Sequence, residues 1–418
     1  MNTADYAAKL ALDWGEDNHA FVLQMQGGSR EKGTIPAYAE VFHRWLDELG
    51  KRCAGRPIAV VVEAGRNAVV HALFEHPSLT VFPVHPAASK RFRKALIPSG
   101  AKDDIPDADL LLTLFEHHHD LLRPLIVDTQ ATRRLELLVI ARRDAVDLRT
   151  LLSNQLNSAL KTYFPQALDL FGDEIYTPLP LDFLTRWPSL ATAQAARPAT
   201  LRQFYHAHNS RRPALIEERL AVLHTTRPLT TDDAVIEVGI LHTRMLVAQL
   251  RPLQKAIESF EERIAEAFAA HPDRALFCNL PAAGPALAPR LLVAFGSNRA
   301  RYPSASSLQK YAGVAPVREK SGRQMWTHWR WNCPKFLRQS FVEWAGCTIP
   351  KVAWAKTYYR RQEARGVGHQ AILRGLAFKW IRILWRCWQD RVPYDENRYI
   401  EALTRHHSPD LGPCLFSR

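Results

Sequence analysis

The sequence predicts an α/β unit followed by a mostly α-helical remainder. Three observations predict it: short apolar strands alternating with amphipathic helices, two long leucine-spaced stretches in the middle, and a basic, tryptophan-dense final third. Strands alternating with helices imply a partly parallel sheet under helical layers. The 418 residues exceed one ordinary core, so three regions are expected: an α/β region at 1–130, a long-helix or coiled-coil region at 131–272, and a helical region at 273–418.

Residues 6–12 alternate as a strand, the turn Gly15-Glu16-Asp17-Asn18 follows, and residues 19–23 form its partner. Gln26-Gly27-Gly28-Ser29 is a turn. A helix over 37–49 carries Val41, Trp45 and Leu49 on one stripe. Then come a strand at 58–63, a helix near 67–74, a strand at 79–84 and a helix at about 105–115. Over 131–161, Leu135, Leu138, Ala141, Ala145, Leu148, Leu152, Leu156 and Leu160 recur at threes and fours. The stretch 231–270 repeats the pattern from Val235 to Ile264. Between the two lie Pro165, Pro178, Pro180, Pro188 and Pro198 with shorter helices. The long helices can pair as an antiparallel hairpin or as a dimerising coiled coil. Leu280-Pro281-Ala282-Ala283-Gly284 is a tight turn into a helix at 286–295 that Gly296 caps. It is either a helix-hairpin-helix turn facing a phosphate or a plain interhelical turn.

Composition narrows the function classes. With 47% apolar residues, wholesale disorder is excluded, and no apolar run is long enough to span a bilayer. Met1-Asn2-Thr3-Ala4-Asp5 lacks the features of a signal peptide, so a soluble protein of the bacterial or archaeal cytoplasm is expected. The six cysteines (53, 278, 333, 347, 387, 414) include no C-x-x-C pair, against a disulfide framework or zinc ribbon. Cys347 and Cys387 lie among aromatics and read as core thiols. From Arg299 onward 22 Lys and Arg face 8 Asp and Glu, and eight of eleven tryptophans fall between Trp326 and Trp388. Such a segment reads as a polyanion-binding module, or as a cationic surface over a tryptophan core.

Four acids carry the candidate chemistry. Asp13 closes the first strand, Glu63 ends Ile58-Ala59-Val60-Val61-Val62-Glu63, and Asp104 and Asp107 stand three apart in Lys102-Asp103-Asp104-Ile105-Pro106-Asp107-Ala108. A carboxylate ending a buried strand is expensive to desolvate without a partner or metal. Asp104 suits a helix N-cap ahead of Pro106, yet the i, i+3 spacing keeps Asp107 on the same side of the turn. Like charges gathered in this way need divalent cations, as in a ribonuclease-H-like, two-metal site for cutting phosphodiesters. Lys102 and Asp103 read as electrostatic neighbours. Glu116-His117-His118-His119-Asp120 reads as a solvated face, because consecutive helical positions diverge by about 100°.

A second locus is Tyr311-Ala312-Gly313-Val314-Ala315-Pro316-Val317-Arg318-Glu319-Lys320-Ser321-Gly322-Arg323, a broken, cation-lined loop with one serine. Arg318, Lys320 and Arg323 could hold phosphate oxygens, and a serine nucleophile would need that setting plus a base or metal. A turn serine is the plainer reading.

These residues resemble the Piv-like DEDD insertion-sequence transposases, the "one-ten" family. The resemblance rests on Asp13, Glu63 and the K-x-D-x-x-D-A element at 102–108. It extends through Arg142-Arg143-Asp144, Asn154-Gln155-Leu156, Phe164-Pro165 and the 280–284 turn to Gly313-Val314-Ala315-Pro316, Ser321-Gly322, Tyr358-Tyr359-Arg360-Arg361 and Pro393-Tyr394-Asp395. Asp103 replaces the usual Thr or Ser, the 280–284 turn lacks the first family glycine, and 168–230 is longer than the family pattern. The resemblance implies a RuvC-like domain holding Mg²⁺ (or Mn²⁺) through Asp13, Glu63, Asp104 and Asp107, and a C-terminal domain with Ser321 as nucleophile. It further implies donor and target DNA, a structured noncoding guide RNA and a homo-oligomer whose sites are shared between protomers. Two rivals stand beside it. One is a structure-specific nuclease of the Holliday-junction type that uses water, and the other is a non-catalytic nucleic-acid-binding regulator.

Overall fold

The computed structural model describes residues 5–63, 68–96 and 104–406, which leaves Lys102, Asp103 and Cys414 outside. The chain divides into two compact units, Met1–Val127 and Asp128–Arg418.

Unit 1 is a five-stranded sheet between helices. Its elements are β1 (Ala8–Asp13), β2 (Asn18–Met25), β3 (Arg30–Pro36), α1 (Ala39–Arg52), β4 (Ile58–Glu63), α2 (Ala68–Leu73), β5 (Leu79–Val84), α3 (Pro86–Leu96) and α4 (Asp104–His118). The strand order is β3-β2-β1-β4-β5, with β1, β2 and β3 antiparallel and β1, β4 and β5 parallel. β4 is buried on both faces, as a central parallel strand must be, and so reads as a continuous apolar run. Leu10, Leu12, Leu23, Val60 and Val62 pack with Phe42, Leu46 and Leu49 of α1 and Leu73 of α2. Residues of the other phase, Ala11, Val22, Ala59, Val61 and Phe82, pack with Ala108, Leu111, Leu112 and Phe115 of α4. The strand β3 and helix α3 are absent from the sequence expectation. Arg30-Glu31-Lys32-Gly33-Thr34 is a charged edge strand with little apolar alternation, and α3 buries no residue.

Unit 2 opens with α5 (Gln130–Tyr163) and returns through α11 (Asp233–Ala269). Arg142 donates to Glu261, Arg149 to Gln254 and Tyr163 to Thr243, so partners rise on one helix as they fall on the other. The pair is therefore an antiparallel hairpin within one chain. At its far end α6 (Gln166–Phe171), α7 (Pro178–Arg186), α8 (Leu190–Gln194), α9 (Pro198–Ala207) and α10 (Pro213–Thr225) close a separate apolar core over Leu156, Leu160, Leu246 and Leu250. Prolines stand in the first turn of α7, α9 and α10, where the missing N–H does no harm.

The near end of the hairpin joins a second core through Leu135, Val139 and Ile264. That core holds α12 (Arg274–Phe277), α13 (Gly284–Phe295), α14 (Ala305–Tyr311), α15 (Lys335–Thr348), α16 (Ala353–Glu363), α17 (His369–Asp390) and α18 (Glu396–Arg405), with a ribbon of β6 (Val317–Ser321) and β7 (Gln324–His328). Here most of the tryptophans find their use. Trp344, Trp354, Trp380 and Trp388 are fully buried. Each indole N–H donates inside the core, to Pro281 O, Tyr394 Oη, Thr348 Oγ1 and Gly296 O respectively. Trp385 donates to Tyr302 O. The tryptophan density is thus largely architecture, and only Trp326, Trp329 and Trp331 belong to the ribbon and the strap that leaves it. Cys347 is exposed, not a core thiol, because it stands off the buried stripe of α15. Cys387 is half-buried and burial pushes its thiol pKa up.

Asp128 fastens the start of α5 to the end of α13. It is 9% exposed, and its Oδ1 accepts from the backbone N–H of Ser297 (2.8 Å) and of Asn298 (2.9 Å), while Oδ2 accepts from Arg301 (2.7 Å). The approach needs Gly296, at φ 73°, because a Cβ there would lie 2.5 Å from the carboxylate. Asp128→Ala would strand the Arg301 charge and two backbone donors. It should lower the unfolding free energy by about 3–5 kcal/mol, read as the midpoint shift in urea. A shift under about 1 kcal/mol would mean that solvent replaces the carboxylate easily.

Candidate active site

Asp13 and Glu63 end neighbouring parallel strands, in a register that sets Leu12 beside Val62. Both share strand phase with Ala11, Ala59 and Val61, the residues that pack on α4, so alternation directs them to the α4 side of the sheet. The helix α4 runs against β1: its Glu116 meets Lys9 near the strand's start, at 3.3 Å. Its first turn, with Asp104 and Asp107, therefore lies toward the end where β1 and β4 finish. Asp13 and Glu63 thus share one end of one sheet face, and the helix packed on that face begins with the turn that holds Asp104 and Asp107.

An ionic lattice holds α4 in that position. Arg30 of β3 donates to Asp109 (2.6 Å), to Thr113 (3.1 Å) and to Glu116, and Lys32 pairs with Asp109 at 2.8 Å. Burial opposes ionisation of Asp109, but the hydrogen bonds from Lys32 and Arg30 outweigh it and hold its pKa low. Sequence reasoning missed this second acidic stripe of α4, whose partners sit on the unrecognised strand β3.

Among the described residues, no three His, Cys, Asp or Glu side chains stand close enough together to hold a metal ion. On α3, Arg93 donates to the Asp107 carboxylate at 2.6 Å. A guanidinium supplies there the countercharge that such a cluster needs. The donor set is all carboxylate oxygen, which suits a hard divalent cation. His117 and His118 are exposed.

Ser321 lies in unit 2, at the exposed tip of the ribbon, opposite Gln324. The sequence expectation of a loop gives way to a hairpin. Gly322 takes φ 57° ahead of Arg323, as the first central position of a II′ turn requires. Strand alternation divides the expected phosphate-holding cations. Arg318 and Lys320 share one face of the ribbon with Thr327 and Met325, Arg323 is in the turn, and Ser321 shares the other face with Glu319, Trp326 and His328.

That serine-bearing face is locked by Glu319, which accepts from Trp326 Nε1 (3.0 Å) and from His328 Nε2 (2.7 Å). His328 Nδ1 also contacts the Trp329 carbonyl at 2.7 Å. Both imidazole nitrogens face acceptors, an arrangement that favours the protonated ring. The Glu319 hydrogen bond, then the Trp329 carbonyl, raise the His328 pKa. The clamp is complete below the ordinary histidine pKa and is lost as pH rises through the raised folded value. In Glu319→Gln the His328 titration midpoint, followed by imidazole NMR, should fall back toward the free value. An unchanged midpoint would remove Glu319 from the clamp. No motif in the sequence marks Glu319 and His328, because cross-strand pairing alone brings them together.

Two family models match separate stretches of this chain. A transposase family model (DEDD, IS110) matches residues 10–165, and the model for the transposase IS116/IS110/IS902 family matches residues 274–360. The transposase assigned to mini-circle IS117 of Streptomyces coelicolor is 28% identical over 399 residues, covering 94% of this chain and 96% of that protein. The 43.6 kDa protein of insertion element IS110 from the same organism is 25% identical, over 94% of this chain and 97% of its own length. The 42 kDa protein of IS900 from Mycobacterium paratuberculosis is 26% identical over 84% of each. With both of its parts matched in order, the chain belongs to the IS110 family of insertion-sequence transposases.

Proposed function

We propose that this transposase breaks and rejoins DNA strands through Ser321, with the acidic edge of unit 1 as its metal site. What supports the reading is that Asp13 and Glu63 end neighbouring parallel strands on the face packed by α4, whose first turn holds Asp104 and Asp107. The strand order β3-β2-β1-β4-β5 supports a RuvC-like, ribonuclease-H-like arrangement of that unit. We take 1–130 as the acidic domain, 131–272 as the long-helix region and 273–418 as the serine-bearing domain.

Asp13, Glu63, Asp104 and Asp107 would hold Mg²⁺ or Mn²⁺, which supplies concentrated positive charge beside the reacting phosphate. Ser321 Oγ attacks a DNA phosphorus, and the P–O bond to the neighbouring sugar breaks. The departing sugar oxygen leaves as a hydroxyl, taking up one proton for the one lost from the serine. The hydroxyl of a second strand then attacks the phosphoserine, makes a new phosphodiester and restores the serine. One ester is made for each one broken, so no external energy source is required. Arg323, beside Ser321 in the turn, can contact the phosphate oxygens during both transfers.

Donor and target DNA are the substrates, and we extend the reading to a guide RNA on the basis of the family resemblance and the basic C-terminal third. A homo-oligomer is supported by an exposed apolar stripe on α11, Val235, Val238, Leu241 and Met245, with Leu151 of α5 lining the same hollow. Among the described residues no helix is long and apolar enough to cross a membrane, which is compatible with a cytoplasmic location. The test is covalent trapping. Wild type, Ser321→Ala and Asp13→Ala are expressed with the element's own flanking DNA, denatured and assayed for protein-linked strands. A link in the wild type alone supports the mechanism, and cleaved DNA with no link in any of the three points instead to a water-using nuclease.

A further inference from the structure

The strap that follows β7 carries an arrangement that strand transfer through Ser321 does not use. Trp329 packs under the Arg374 guanidinium of α17. Arg338 of α15 stands beside Arg374 and reaches toward the Arg330 carbonyl, 3.5 Å away. The Arg338 and Arg374 side chains thus lie at the strap, against the backbone of Arg330 and the ring of Trp329. Three other arginines of this core are held by carboxylates: Arg290 by Glu343, Arg299 by Asp273 and Arg301 by Asp128. Among the described residues, none of Arg330, Arg338 and Arg374 is in an ion pair. Burial, and then the charge of Arg338, pull the Arg374 pKa down to about 10. It still carries its proton at neutral pH, so the cluster is charged, and no described residue supplies it with an anion. Guanidinium forks of this kind suit the paired oxygens of a phosphodiester.

Next to Arg330 stands Trp331, which is 75% exposed in a unit whose other tryptophans are mostly buried. A bare indole beside an uncompensated cationic seat is how proteins hold single strands, with the backbone on the charges and a base on the ring. A duplex keeps both faces of its bases stacked and offers nothing to such a ring. We propose that Arg330, Arg338 and Arg374 seat a backbone phosphate of an unpaired nucleic-acid strand while Trp331 stacks on the adjoining base. The proposal rests on the reading of this chain as a strand-exchanging enzyme and adds the form of nucleic acid that this surface takes. DNA and RNA present the same phosphate and the same π-face, so both are probed.

The test is fluorescence anisotropy on the full-length protein with oligothymidylate, oligouridylate and a DNA duplex of equal length, over a salt series. Trp331→Ala should weaken single-strand binding at least about fivefold and leave duplex binding unchanged. Trp331→Phe should recover most of the loss. Arg338→Gln should lower the slope of log affinity against log salt by about 0.7 on the single strands. Whichever oligonucleotide loses more to Trp331→Ala identifies the occupant as DNA or RNA. Trp331 is surface-exposed, and a matching thermal melt establishes that its variants are folded. Single-strand binding that Trp331→Ala leaves intact, or an equal loss on the duplex, would overturn the proposal. Strand exchange by the wild type is assayed in parallel. Its absence with single-strand binding still dependent on Trp331 defeats the serine mechanism alone.

Discussion

Ser321→Ala is expected to abolish the protein–DNA link and drop strand transfer by at least about 10⁴-fold, as loss of a nucleophile does elsewhere. DNA binding should change little, for structural reasons. Ser321 stands at the exposed tip of a ribbon whose register is set by the backbone pairs from Val317–His328 to Ser321–Gln324. The Glu319 bonds to Trp326 and His328 brace the same face without the serine hydroxyl. Replacing Oγ by hydrogen removes the attacking atom and leaves the II′ turn, Gly322 and Arg323 in place. Gel shift and denaturing trapping on one protein preparation separate the two quantities. A Ser321→Ala protein that still exchanges strands would end the phosphoserine reading, and one that neither binds nor exchanges would mark the ribbon tip as a binding element.

Much of the scaffold was legible because its residues repeat. The run from Ile58 to Glu63 could only be a buried strand, and the leucine spacing of α5 and α11 survives into the structure with ends shifted by a residue or two. Strand-end acids were legible for the same reason, since a period of two fixes which face each one serves. What failed to show was held by distant partners. The strand β3 is a charged edge whose pairing depends on β2 and whose Arg30 is anchored by α4. The helix α3 has no apolar stripe, so neither it nor its Arg93 contact to Asp107 left a local trace. Tryptophan number was plain, but not its distribution between core and surface, because burial of Trp344 or Trp380 depends on helices far apart in the chain. The ribbon around Ser321 has almost no apolar alternation and is made by one turn and five cross-strand pairs.

Asp13→Asn and Glu63→Gln are each expected to reduce metal-dependent strand cutting by at least about 10³-fold while leaving the sheet intact. Asp13 and Glu63 are the last residues of β1 and β4, so their amides keep the backbone pairing. Stability in metal-free buffer should change little. Thermal melts supply a readout apart from activity. A bound divalent ion at 100 times its dissociation constant stabilises a folded unit by about 2.7 kcal/mol, so the wild type should gain with Mn²⁺ and either variant should not. Arg93→Gln should move the other way, because the Arg93 guanidinium holds the Asp107 carboxylate that an ion would need. Removing that competitor should let the Mn²⁺-dependent shift begin at about tenfold lower concentration, the equivalent of a contact worth about 1.4 kcal/mol. Opposite signs from Asp13→Asn and Arg93→Gln in one melt series tie both residues to a single ion site. A melt series in which Asp13→Asn still gains with Mn²⁺, or Arg93→Gln matches the wild type, places the ion elsewhere on the chain and leaves the Arg93–Asp107 pair as a fixed part of the fold.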